Sequence, residues 1–98
     1  MKYYVYILYS ESGDIYYIGQ TNNLTDRIRR HNSRLEKFTS LYCPWLVKCV
    51  IEKTSRNQAM ALEKKLKNLN RKKLLKFIAK YSSVPGPRRG LAGLGADL

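Results

Sequence analysis

The chain has 98 residues, enough for one domain of ordinary size with a single two-layer core. Nineteen Lys and Arg against seven Asp and Glu give a formal net charge of +12, and that imbalance favours a polyanionic partner, nucleic acid first. No membrane partner is expected: an anionic membrane surface comes second to nucleic acid, because the basic helices lack a broad apolar face, and no stretch approaches the roughly twenty apolar residues of a span.

The opening "YYVYILY", residues 3–9, is rich in aromatic and β-branched side chains and predicts a strand, with no cleavage site to mark it as a leader. "SESGD" is a turn signal and "IYYIG" a second strand, so a hairpin is expected. A turn at residues 10–13 would set Tyr6 directly opposite Tyr17, two phenols sharing one face. By themselves they suit a packed aromatic pair. Asn22 or Asn23 can cap a helix from near Leu24, with Asp26 in its first turn and Leu24, Ile28 and Leu35 on its apolar face. Arg27 and His31, one turn apart, fall at the edge of that stripe and point along the sheet towards the tyrosines. Arg29, Arg30 and Arg34 lie further round, on a basic face.

"WLVKCVIE", residues 45–52, predicts a third strand. Its Cys49 and the nearby Cys43 have neither a second Cys pair nor a His close in sequence, too few ligands for zinc. They read as reduced, partly buried thiols of a cytoplasmic protein. Ser55 with Gln58 forms a capping-box pattern ahead of a helix whose stripe is Ala59, Leu62, Leu66 and Leu69. Asn70 caps a last helix carrying Leu74, Phe77, Ile78 and Tyr81. From residue 83 the chain becomes Pro- and Gly-rich without periodicity, so residues 1–82 are expected to form the domain and 83–98 a flexible tail. The order β-β-α-β-α-α predicts an α+β fold, a small three-stranded, mainly antiparallel sheet flanked by helices.

One acidic residue stands apart. Glu63 lies on the border of its helix's apolar stripe within a long run of Lys and Arg, and a half-buried carboxylate there needs a reason. It suits an ion pair with Arg56 or Lys67, and equally a ligand for a hard divalent cation. Two phenols, an arginine, a histidine and one carboxylate together match the needs of phosphodiester hydrolysis. Between Lys64 and Lys80 there are eight cations and no acid, which favours contact with a phosphate backbone. No base-reading motif stands out, so low sequence specificity is expected.

"VYI" at 5–7, "YYIG" at 16–19, Arg27, His31 and Glu63 resemble the GIY-YIG nuclease domain, in particular its short stand-alone bacterial members. "YIGxTxxLxxRxxxH", the Lys37–Thr39 element, "ALExxxK" at 61–67 and "RKKLL" at 71–75 carry the resemblance across residues 3 to about 80. It implies a metal-dependent endonuclease acting on nucleic acid, DNA more than RNA. Tyr6 would be the base or nucleophile-orienting phenol, and Tyr17 would assist at the scissile phosphate. Arg27 would bind that phosphate, His31 would shape the site, and Glu63 would hold a single Mg²⁺ or Mn²⁺. Gly19 would let the backbone turn tightly out of the sheet. Arg30, Arg34, Lys37, Lys64, Lys67, Arg71, Lys72 and Lys73 are the expected nucleic-acid contacts. Val5 replaces the motif's first glycine, and Gln20 stands where many nuclease members have a lysine. The alternative function is a non-catalytic nucleic-acid-binding module, or an accessory subunit of a DNA-processing complex that works with a partner protein.

Overall fold

Strand β1 (Tyr3–Ser10) alternates between two kinds of side chain, and that alternation organises the molecule. In the computed structural model, which describes residues 1–33 and 38–81, Val5 and Ile7 face one side of the sheet and Tyr6 and Leu8 the other, all four buried. β2 (Ile15–Thr21) and β3 (Trp45–Lys53) pair antiparallel on either side of β1, giving the order β2-β1-β3.

Both faces are covered. Val5, Ile7, Ile18 and Cys49 pack against Ala59, Leu66 and Leu74 of helices α2 (Arg56–Lys67) and α3 (Arg71–Tyr81). Tyr6, Leu8 and Trp45 pack instead with Leu24 and Ile28 of α1 (Leu24–Asn32) and with Tyr42 of a 3-10 turn, Thr39–Tyr42. The expectation of a single two-layer core is therefore corrected: a sheet apolar on both faces has to be covered on both. A bulge opposite Ile7 and Leu8 lets Trp45 and Val47 share a face with Val50, which strict alternation would forbid.

The hairpin register also differs from expectation. Tyr6 pairs with Gly19, and Tyr17 pairs with Leu8. The loop is Glu11–Asp14 rather than residues 10–13, and Ser10 closes it by pairing with Ile15 while its Oγ accepts from the Gly13 amide at 3.1 Å. A slip of two residues preserves the pleat, so Tyr6 and Tyr17 still share a face. Gly19 does not turn the chain out of the sheet; it lies inside β2, which runs on to Thr21. Its missing side chain makes room for the Tyr6 ring, because a Cβ there would lie 2.6 Å from the ring's Cζ.

The helices start where their caps demand. The side chains of Asn23, Ser55 and Asn70 accept from the amides of Asp26, Gln58 and Lys73. The returning arm of the α2 box is displaced by one residue, with the Gln58 amide oxygen accepting from the Thr54 hydroxyl at 3.0 Å. Asp14 ties the hairpin tip to α3: its Oδ1 accepts from Tyr9 Oη at 2.7 Å and from Arg71 at 2.5 Å, while the guanidinium lies over the Tyr16 ring. Arg71 holds the Asp14 carboxyl below its ordinary pKa, and Asp14 in turn raises the Tyr9 phenol. Among the described residues no helix is long and apolar enough to cross a membrane. Leu35, Arg34, Lys37 and the tail lie outside the described residues.

Candidate active site at the tyrosine face

The Tyr6 side chain runs across Gly19 to α1, where its hydroxyl lies 3.1 Å from His31 Nε2. Tyr6 is 0% exposed and His31 1%, a depth at which each polar atom needs a partner. The other imidazole nitrogen has one: Nδ1 is 3.0 Å from the hydroxyl of Thr39, which is also buried. Thr39 is fixed in turn, its carbonyl accepting from the Trp45 indole at 2.8 Å. Asn32, the last residue of α1, accepts from the Trp45 amide at 2.6 Å and donates to the Trp45 carbonyl at 3.3 Å. These bonds lock α1, the 3-10 turn and β3 around one imidazole.

Tyr17 completes the aromatic group. Its ring centroid is 4.9 Å from His31, edge-on, and 6.4 Å from Tyr6, stacked. Burial is the main cause that lifts the Tyr6 phenol far above its ordinary pKa, reinforced by neighbouring Tyr17. The Arg27 guanidinium opposes the shift through its charge and hydrogen bonding, whereas the charge of Glu63 adds to it. Charges from α1 and α2 thus converge on one hydroxyl, although those helices cover opposite faces.

Glu63 is half-buried on α2 and pairs with Lys67 at 3.0 Å, the second of the two partners its position suggested. Arg56 lies elsewhere, over the Tyr3 ring. Among the described residues no cluster of three or more His, Cys, Asp or Glu is arranged to hold a metal. The donor set is therefore one carboxylate, which fits a hard divalent ion completed by substrate phosphate and water. Cys49 is buried, and burial pushes its thiol up to about 11, an inert state.

The basic residues are spread around this centre. Lys64 and Lys67 line a shallow groove of about 530 Å³ on α2 with Glu63, Met60 and Asn68. A second groove of about 460 Å³ runs from Asp14 to Tyr17 and includes Lys67 and Arg71. Lys72 and Lys73 are exposed at the start of α3, Arg30 is half-buried on α1, and Arg71 is engaged with Asp14. Gln20 faces the α2 side of the sheet, away from Tyr6, with its amide oxygen buried and without a partner among the described residues.

Sequence reasoning did not single out Thr39, Asn32 or Trp45 as supports of the histidine. The one available signal was Thr39's place in the Lys37–Thr39 element.

Comparisons with known proteins bear on the family and the fold. A family model described as the GIY-YIG catalytic domain matches residues 2–76. Among solved structures, the solution NMR structure of a UPF0213 protein from Bacillus halodurans is similar at 28% identity and a TM-score of 0.58. The match covers 85% of this chain and 88% of that one. No curated protein matches significantly.

Proposed function

The chain belongs to the GIY-YIG family, a fold of nuclease type, and from that premise we propose that it is a divalent-metal-dependent endonuclease cutting nucleic-acid phosphodiester bonds, DNA in preference to RNA, with low sequence specificity. What supports this reading most is the buried Tyr6–His31–Tyr17 cluster, whose Tyr6 phenol also feels the charges of Arg27 and Glu63. Residues 1–82 form the nuclease unit of this reading.

Each residue has work suited to its chemistry. Glu63 would hold the Mg²⁺ or Mn²⁺ ion, which when bound polarises the phosphate and the leaving oxygen. Arg27, always charged, binds the scissile phosphate and neutralises charge that grows on it. Tyr6 stays protonated at neutral pH, so it orients the attacking nucleophile as a hydroxyl rather than as a phenolate. Tyr17 borders the same space, and His31 holds the Tyr6 hydroxyl in place. The exposed Lys64, Lys72 and Lys73 supply backbone contacts, each adding a salt slope of about −0.9 on duplex DNA.

A second reading, a non-catalytic nucleic-acid-binding module or accessory subunit, is favoured by one observation. Tyr6 is wholly enclosed and Glu63 is already paired with Lys67. Cleavage of single-stranded, duplex, flapped and junction DNA and a matched RNA, with Mg²⁺ or Mn²⁺, separates the two. The nuclease reading expects metal-dependent cleavage that Glu63→Ala abolishes while affinity for the same DNA stays within about twofold. Salt-sensitive binding without cleavage by the wild type selects the module.

A further inference from the structure

His31 is held at both nitrogens, and the two contacts together decide where its proton sits. Its Nε2 is 3.1 Å from the Tyr6 hydroxyl and its Nδ1 is 3.0 Å from the Thr39 hydroxyl, with all three residues at most 1% exposed. A neutral imidazole has one N–H donor and one bare acceptor nitrogen, so only two arrangements exist. If Nε2 carried the proton, it would donate to the Tyr6 oxygen. Arg27 also acts on that oxygen, and a guanidinium can only donate. The phenolic proton would then have no acceptor among the described residues, leaving a buried donor unmet. If Nδ1 carries the proton instead, Tyr6 donates to Nε2, Nδ1 donates to Thr39, and every atom is satisfied.

Thr39 is well placed for this part. Its carbonyl accepts from the Trp45 indole at 2.8 Å, Asn32 grips the Trp45 backbone from α1, and the threonine hydroxyl faces the ring while its main chain is held. A neutral histidine side chain in water prefers the opposite, Nε2–H tautomer, so the protein has to impose this one.

We propose that Thr39 is a positioning residue that fixes His31 as its Nδ1–H tautomer, leaving the Nε2 lone pair as the acceptor for the Tyr6 hydroxyl. The tautomer stands on the two hydrogen-bond contacts, supported by the action of Arg27 on the Tyr6 oxygen, and only its catalytic consequence rests on the nuclease reading. That consequence is that the Tyr6 oxygen keeps its lone pairs turned towards Arg27 and the substrate, since its proton is committed to His31.

His31 is the only histidine in the chain, so its imidazole can be read without ambiguity by nitrogen-15 NMR of the labelled full-length protein at neutral pH. The expected wild-type spectrum has Nε2 in the unprotonated, pyridine-like range and Nδ1 in the protonated, pyrrole-like range. Thr39→Ser keeps the hydroxyl and should keep this pattern together with at least half of any cleavage rate. Thr39→Val should move the pattern towards protonated Nε2 and lower the rate at least tenfold, with its backbone amide spectrum still folded. A wild-type Nε2 that carries a proton overturns the proposal, as does a folded Thr39→Val with unchanged imidazole shifts. Should Thr39→Val fail to fold, the wild-type and Thr39→Ser spectra decide. A protein that cleaves nothing yet shows the Nδ1–H pattern refutes the nuclease reading and leaves the tautomer assignment standing.

Discussion

The two faces of the sheet share the same three strands and do different physical work. On the α2/α3 side the buried contacts are mainly aliphatic: Val5, Ile7 and Ile18 meet Ala59, Leu66 and Leu74, and stability there comes from area removed from water. On the α1 side, Tyr6, His31, Thr39 and Trp45 are buried just as deeply but are held by directional bonds. A hydrocarbon face tolerates substitutions that conserve volume, whereas a hydrogen-bonded one does not, because each deletion strands a partner. On the proposed reading, the chemistry belongs to the second face and most of the cohesion to the first.

The comparison can be broken most decisively through the one residue that crosses it. Glu63→Ala, on the packing-side helix, should remove metal-dependent cleavage altogether, with the thermal midpoint nearly unchanged because its Lys67 partner is half-exposed. Single-turnover cleavage and calorimetry on the same preparation check both halves. Next in size, Leu66→Ala should cost about 2–5 kcal/mol in denaturant unfolding, the price of a cavity in a tight core, while cleavage measured well below the midpoint survives. Gly19→Ala should cost about 1–3 kcal/mol and also slow cleavage, since the new methyl group must displace the Tyr6 ring. If Gly19→Ala lowered stability and left cleavage intact, the Tyr6 position would not matter.

A smaller effect concerns pH. Cys49 on one face and Tyr6 on the other both have folded pKa values raised by burial. A raised value means that the folded state holds the proton more tightly, so the stability it brings is complete below the unfolded pKa and is lost as pH rises towards the folded one. Stability should therefore begin to fall above pH 9, the ordinary thiol value here, with Cys49 contributing up to about 11 and Tyr6 from about 10 upward. The slope per group is about 1.4 kcal/mol per pH unit. Urea midpoints from pH 8 to 10.5 should show it, and Tyr6→Phe should flatten the upper part.

Much of this was readable in the sequence, for identifiable reasons. The strands and helices carry strong periodicity, and Asn23, Ser55 and Asn70 cap as their side-chain chemistry dictates. The expected hairpin register is two residues off, yet it still sets Tyr6 and Tyr17 on one face because the pleat repeats every two. Gly19 was misread as a turn because a glycine ending an apolar alternation looks the same whether the chain bends or a ring crosses it. The supports of His31 were not legible. Thr39 and Trp45 reach it through a 3-10 turn between α1 and β3, a connection without periodicity, so no spacing rule announces their meeting. Glu63 was legible as an exception in a basic segment, though which cation it pairs with was settled only by the fold.

The most direct test uses two neighbours on β1 that face opposite ways. Tyr6→Phe and Ile7→Val are compared by single-turnover cleavage and by denaturant unfolding, at a temperature where both remain folded. Tyr6→Phe should lose at least 100-fold in rate for about 1–3 kcal/mol of stability. Ile7→Val should lose about 0.5–1.5 kcal/mol and keep its rate within about twofold. Rates that simply follow stability in both variants would contradict the division of labour between the faces.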